Sequence, residues 1–457
     1  MTLYQHQKDA IDFIFARGGN GALFMDCGTG KTLVALKAFE EMRKTEPALK
    51  LIAIMPLSIL EAAWGEDIRK FTQFAYYNAH DKKIPKELKE DILLINYEAV
   101  ILARNSGILN LMRGNMVVCD ESSRLKGNTT RTAKFFLAAR DLPKYKIVMT
   151  ATPAPNTPLE YYAQMEFIKP GILHKSFYGF RNNYFHLQRG RQVMSGKLVT
   201  RAALFDAMRT GFKYEIAPQN LKKLMTKIEP YIFYARKKDC LDLPDQVDEV
   251  RKVTLSATQM RHYHEMKRDL ITEIQGEQIV AQVALAKIIK LRELCSGFVI
   301  NGKKTIELVD SAKITELKAV IEEAGDQSII IWACFHWEIE RIVKELGADN
   351  CRTFYAKTPD KDASLADFKS GKARFMVAHS ASMGHGVTLT NCSMQIFFSL
   401  DYSLERYLQG RDRIHRIGQV NKCTYIHLIA SGTIEEDILK CLKDKSDMTR
   451  IVEEMIR

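Results

Sequence analysis

FMDCGTGKT, residues 24–32, sets two glycines and a Lys-Thr pair between a short apolar run and a helical pattern. A strand over Ala22–Met25 runs into it. A helix over Thr32–Arg43, with Leu33, Leu36 and Phe39 on its apolar face, runs out. Strand, glycine turn and helix in this order form a phosphate cradle: the glycines let the backbone wrap an anion, and the helix N-terminal amides point at it. In that reading Gly28, Thr29 and Gly30 line the cradle, Lys31 neutralises β- and γ-oxygens, and the Thr32 hydroxyl ligates Mg2+. The general phosphate-loop pattern has glycine five residues before Gly30, where this chain has Met25.

Outward from this stretch the rhythm continues. Leu51–Met55, Ile92–Asn96, Met116–Cys119 and Lys146–Thr150 read as strands, and Ile59–Phe71 as a helix. A second series holds strands at Ser328–Ala333, Arg352–Tyr355, Phe375–His379, Gln395–Ser399 and Cys423–Ile429, with helices at Trp337–Leu346 and Leu404–His415. Strands alternating with helices predict an α/β fold: two lobes, each a mostly parallel sheet flanked by helices. Lobe one is expected over 1–240 and lobe two over 241–457, the latter opening with a helical region at about 256–295 and closing with a helix at about 433–456. Within lobe one, about 169–235 reads as a basic helical insertion without strand rhythm, and PDQVDEVRK at 244–252 reads as a charged linker.

MVVCDE ends in Asp120 and Glu121 at the carboxyl end of a predicted parallel strand, where such sheets bind ligands. One carboxylate can hold Mg2+ and the next can orient and activate a water; a solvated acidic turn is the alternative. QGRDRIHRIGQ, residues 409–419, holds three arginines in six positions with one acid between them. On a helix capped by Ser403 and ended by Gly418, Gln409, Arg413 and Arg416 share one face. Arginines suit the charge that phosphoryl transfer spreads over equatorial oxygens. A basic DNA-facing helix is the other reading, and Arg411 is its candidate.

The net charge is +12 and the pI about 9.1, which points to a polyanionic partner. The stretch 169–240 carries 15 Lys/Arg against 4 Asp/Glu, nearly the whole surplus, and 11 aromatics. Arg189, Arg191, Lys197 and Arg201 within it are candidate contacts to a phosphate backbone. Nine scattered cysteines without a CxxC pair argue against a disulfide framework or zinc site and for a reducing, cytoplasmic compartment. There is no signal-peptide core and no membrane-length apolar run.

The motifs together resemble the helicase-related ATPases of superfamily two, DEAD/DEAH-like, and specifically the Swi/Snf type. LYQHQKDAIDF looks like the glutamine motif, with Gln7 reading adenine. MDCGTGKT, LIAIMPLSILEAAWGEDIRKF with Pro56, INYEAV and VVCDESSRLKG are similar to the family's successive segments. TATPAPN carries Thr150, Thr152 and Pro153 as coupling residues. SMGHGVTL looks like motif five, which makes Gly386 nucleotide-binding, and QGRDRIHRIGQ is close to the family signature DRAHRIGQ. The resemblance implies RecA-like lobes closing on ATP with Mg2+, Arg413 and Arg416 as arginine fingers, and translocation on double-stranded DNA without routine strand separation. Ser122 and Ser123 depart from the family's Ala/Gly and His after the acidic pair, at the positions that couple hydrolysis to DNA. The sequence starts close to the glutamine motif and ends soon after lobe two, so the expectation is a bare motor as in bacteria or their viruses. A monomer is expected, with a protein partner for targeting left open. The alternatives are a strand-separating DNA or RNA helicase, a non-catalytic nucleic-acid clamp and a nuclease motor subunit. His385 reads as a turn residue, and Trp332 and Trp337 as core.

Overall fold

The computed structural model describes residues 3–80, 83–102, 107–125, 130–154, 157–187, 214–275, 281–301, 304–307, 311–383 and 387–444. The chain divides into two compact units between Leu241 and Asp242.

In lobe one, strands β1 (Asn20–Met25), β2 (Leu51–Met55), β3 (Tyr76–Asn78), β4 (Ile92–Asn96), β5 (Met116–Asp120) and β6 (Tyr145–Met149) lie in one sheet. After a short antiparallel pair, β7 (Phe185–Leu187) and β8 (Tyr214–Ile216), strand β9 (Ile232–Ala235) rejoins it. The order is β3-β4-β2-β5-β6-β1-β9, and every pairing is parallel. Central strands are apolar throughout because helices cover both faces; all five residues of β2, LIAIM, are buried. Side chains alternate between two cores: Ala22 and Phe24 of β1 join Ile52, Val117 and Phe136, whereas Leu23 and Met25 join Leu36, Ala53 and Ile147.

Two expectations for lobe one are corrected. The stretch read as lacking strands returns β9 to the sheet edge; IFYA is only 4 residues long and shows no periodicity to read. The single helix expected over Ile59–Phe71 is broken into a 3-10 turn (Leu57–Ile59), a π turn (Leu60–Gly65) and an α-helix (Glu66–Phe71). The aromatics near the insertion form a local core. Fully buried Phe180 packs its ring against Tyr162, Phe177, Tyr184 and Phe185. The helix Pro218–Ile228 buries Leu224 and Ile228 and exposes Lys222, Lys223 and Lys227. Arg189, Arg191, Lys197 and Arg201 lie outside the described residues.

Lobe two carries β10 (Gln246–Val253), a hairpin of β11 (Phe298–Asn301) and β12 (Lys304–Glu307), then β13 (Ile329–Ala333), β14 (Cys351–Phe354), β15 (Phe375–His379), β16 (Met394–Phe397) and β17 (Cys423–Ala430). Six of these form a parallel sheet ordered β10-β17-β16-β13-β15-β14. The segment expected as a charged linker is β10, paired along its whole length with β17. Its charges belong to an edge strand, where they discourage pairing with another chain. Helices Ala257–Gln275 and Ala281–Cys295 occupy the expected helical region, and Ile434–Asp444 begins the expected closing helix, whose remainder is outside the described residues. Trp332 is buried, and Trp337 stacks on Phe298. No helix among the described residues is long and apolar enough to cross a membrane.

Candidate nucleotide-hydrolysis site

The order β5-β6-β1 sets three strand ends side by side, and the lobe-one site residues other than Gln7 follow one of these strands. After β1 the backbone turns through Gly28 (φ 82°) and Gly30 (φ 86°), and Lys31 opens helix α2 (Lys31–Thr45). Glycine reaches this left-handed region without the strain an L side chain meets. A Cβ on Gly30 would also clash with Gln7 Nε2. Gln7 projects from the helix Gln5–Phe15 and is 2% exposed. Its Nε2 donates to Thr29 O at 3.1 Å, and its Oε1 accepts from Tyr4 N at 3.1 Å. His6 Nε2 reaches the same Thr29 carbonyl at 2.9 Å, while Thr29 Oγ1 donates to Asp26 O at 2.7 Å. In this structure both ends of the Gln7 amide are engaged within the protein, and its visible work is to hold the phosphate loop. Lys31 Nζ donates to the carbonyls of Met25 (2.9 Å) and Asp26 (3.2 Å), so the ammonium sits inside the loop it opens.

Asp120 ends β5 and is 5% exposed. Its Oδ2 accepts from Trp64 Nε1 at 2.9 Å, its Oδ1 from the Glu121 amide at 2.9 Å, and its backbone carbonyl from Tyr97 Oη at 2.8 Å. Burial and the charge of Glu121 push its pKa up, against a downward pull from Lys31 and the two N–H donors. Glu121 has φ 52°, and among the described residues it alone, apart from glycines, has a positive φ. Such backbone persists only where surroundings enforce it, commonly at functional sites. Its Oε2 accepts from Thr150 Oγ1 at 3.3 Å, and Thr150 Oγ1 in turn accepts from Thr152 N at 3.1 Å. The structure thus brings Lys31, Asp120, Glu121, Thr150 and Thr152 onto neighbouring strand ends. The Thr32 hydroxyl and the Asp120 carboxylate are hard oxygen donors, a set that suits Mg2+ alongside phosphate oxygens and water.

In lobe two the helix expected over Leu404–His415 ends at Arg411, with Ser403 Oγ accepting from Arg406 N at its start. Gln409 is on that helix, its Nε2 3.3 Å from Glu405 Oε1. Arg413 and Arg416 are on the irregular turn beyond, so the three do not share a helix face. Tertiary bonds override the helical pattern. Arg413, 1% exposed, donates to the carbonyls of Val387 (3.2 Å) and Met383 (3.4 Å). Arg416 donates to Asp412 O at 2.8 Å and Thr388 Oγ1 at 3.2 Å. Gln419 Nε2 bonds the carbonyls of Cys392 and Ile414, which laces the turn to the segment 387–392. Gly386 lies outside the described residues, as does His385.

Arg411 departs from its expected DNA-facing role. Its guanidinium pairs with both Asp248 carboxylate oxygens, donates to Tyr407 Oη at 3.0 Å, and lies 3.9 Å from the Tyr425 ring centroid. Burial works against the charge of Asp248, yet Arg411 outweighs it and holds that carboxyl below its usual range. Arg411 therefore ties the end of the arginine-bearing helix to the edge strand β10.

Sequence reading assigned no role to Trp64, Tyr97, His6 or Gln164. Trp64 and Tyr97 stand inside quoted motifs, but nothing in a linear pattern says which buried acceptor an indole N–H or phenol will find. The π turn around Trp64 is the local device that aims it, and such turns recur at functional sites.

Comparison with known proteins matches residues 6–297 to the SNF2-related domain and residues 312–418 to the helicase conserved C-terminal domain. The chain is 26% identical to protein p41 of Acyrthosiphon pisum secondary endosymbiont phage 1, over 90% of each. It is 25% identical to the SWI/SNF chromatin-remodeling complex subunit snf22 of Schizosaccharomyces pombe, covering 98% of this chain and 28% of that protein. For the transcription regulatory protein SNF2 of Saccharomyces cerevisiae the values are 24%, 98% and 27%, so the chain spans about a quarter of these longer relatives. The Sulfolobus solfataricus SWI2/SNF2 ATPase core solved with dsDNA aligns at TM-score 0.45 and 24% identity, over 97% of this chain and 91% of that one. With the first match spanning well over half its length, the chain belongs to the SNF2-related family of helicase-type ATPases.

Proposed function

We propose that the chain is an ATP-driven motor that tracks double-stranded DNA without routinely separating its strands. ATP use follows from the family. One observation carries the finer reading: an SNF2-related chain holds both halves of the hydrolytic chemistry, Lys31, Asp120 and Glu121 in lobe one and Arg413 and Arg416 in lobe two. Bound Mg2+ would sit on Thr32 and Asp120 and neutralise phosphate charge. Lys31 leaves the Met25 and Asp26 carbonyls for β- and γ-oxygens. Glu121, aimed by its left-handed backbone and the Thr150 hydroxyl, orients a water and takes its proton. The arginines offset charge that grows on the transferred phosphoryl group.

Duplex DNA is supported by the net charge of +12, concentrated at 169–240, and by the chromatin-remodeling names of the longer relatives. The similarity to a phage protein is in keeping with a motor acting in the cytoplasm of a bacterial host, and the motor we propose is a monomer directed by a separate protein. The test is ATP turnover measured with no nucleic acid, single-stranded DNA, duplex DNA and RNA in parallel. Strongest stimulation by duplex DNA supports the reading; stronger stimulation by single strands or RNA replaces it with a strand-separating helicase.

A further inference from the structure

Ser122 follows Glu121 directly and is fully buried. Its Oγ lies 2.7 Å from Gln164 Oε1. Gln164, also fully buried, sits on the helix Tyr161–Ile168, and its Nε2 donates to Pro153 O at 2.6 Å and Glu160 O at 3.1 Å. Two carbonyls around that nitrogen fix the amide orientation, so Gln164 presents its oxygen to Ser122 and the serine must donate. Pro153 is one residue past Thr152, whose amide donates to Thr150 Oγ1, and that hydroxyl donates to Glu121 Oε2. The contacts close a ring: Glu121, Ser122, Gln164, Pro153, Thr152, Thr150 and back to the Glu121 carboxylate.

We infer that Gln164 is a positioning residue that, through Ser122 on one side and Pro153 on the other, locks the acidic pair and the Thr150–Pro153 segment into one unit and so fixes the aim of Glu121. The inference rests on the ATPase reading of the site. Glu121 is held by its left-handed backbone at one end and by Thr150 at the other, and Gln164 bonds Ser122, next to the first, and Pro153, three residues past the second. Ser122 stands where the resemblance expects Ala or Gly, neither of which could donate to Gln164. A displacement of the Thr150–Pro153 segment is therefore delivered to the carboxylate by hydrogen bonds this chain has built in. Buried groups in such a network carry more than their pairwise bonds because leaving one partner unsatisfied is costly.

The test uses the full chain with Gln164→Leu, Ser122→Ala, the double variant and Gln164→Glu. In Gln164→Leu, kcat should fall by roughly 10²-fold, the scale of a small misplacement at a reacting centre, with KM for ATP within a few-fold of wild type. The double variant replaces both partners with apolar groups, which should return the melting temperature towards wild type. Its kcat should stay low, since the ring remains open. Gln164→Glu can donate to Pro153 only when its carboxyl is protonated, so its activity relative to wild type should rise as pH falls. A double variant that regains wild-type turnover along with stability, or a Gln164→Leu defect confined to KM, would overturn the inference. Hydrogen exchange at the Thr152 amide reads the ring without turnover: faster exchange in Gln164→Leu supports it, and unchanged exchange refutes it. A wild-type chain without ATPase activity counts against the functional reading instead, and the exchange result still decides the ring.

Discussion

The two lobes share a parallel α/β architecture but hold their functional groups by opposite means. Lobe one fixes its groups through backbone: two left-handed glycines, a left-handed Glu121 and a helix that opens on Lys31. Lobe two fixes its arginines through side chains, running guanidinium groups into the Met383 and Val387 carbonyls and the Thr388 hydroxyl on a turn with no regular structure of its own. A strand end brings a short carboxylate close to its place, and a few hydrogen bonds complete the aim. A long cationic side chain has several rotatable bonds and keeps one geometry only when its donors are already engaged.

The largest expected effect separates the two arginines. Arg416→Ala should lower kcat by ~10³-fold or more with little change in KM for ATP, as for other cationic groups that meet a phosphoryl transition state. Its melting behaviour should stay near wild type, because the side chain is only half-buried. Arg413→Ala should add a loss of roughly 2–4 kcal/mol in stability, since two carbonyls lose a donor in a dry site. Equal melting losses in both variants would erase the distinction between a spare donor and a buried strut.

Next in size is the lobe-one carboxylate. Glu121→Gln should bind Mg-ATP as wild type does and turn it over ~10²–10⁴-fold more slowly. Near-normal turnover in that variant would move the base elsewhere and leave the left-handed backbone without a catalytic explanation.

Lobe two should also carry a pH dependence through a buried histidine. Burial depresses His427, between Tyr407 Oη (2.9 Å) and Glu249 O (3.2 Å), to a pKa of about 4. The unfolded chain takes up that proton near pH 6.5 and the folded lobe only near pH 4. Stability from this group is thus complete above about pH 7 and declines as pH falls towards 4, by roughly 3 kcal/mol in all. His427→Gln should flatten that slope in denaturant melts. A slope identical to wild type would assign the pH dependence to other groups.

The smallest effect concerns Trp64. Removing its indole N–H in Trp64→Phe frees Asp120 Oδ2 and should weaken Mg2+-dependent turnover by about 10–100-fold, the usual range for a group that orients a metal-binding carboxylate. Titrating activity against Mg2+ reads this directly; an unchanged midpoint would mean that the Glu121 amide alone suffices to hold the carboxylate.

Sequence by itself determined the elements whose signal is local. The continuous apolar runs in β2, β4 and β15 have the boundaries their sequences imply, because a strand covered on both faces must be apolar along its buried length. The phosphate loop was legible because left-handed turns demand glycine, and the acidic pair because it ends such a run. Tertiary structure alone decided the rest. Strand β9 and strand β10 are edges, short in one case and charged in the other, and neither leaves a periodic trace. The arginine turn looked helical in spacing, but spacing alone cannot weigh i→i+4 bonds against the Met383 and Val387 carbonyls and the Thr388 hydroxyl. Arg411 read as surface because it is charged, and became internal because β10 brought Asp248 to it. Trp64 and Gln164 gained their roles from partners 56 and 42 residues away, and hydrogen bonds at that separation are chosen by the fold, not by the neighbours in the chain.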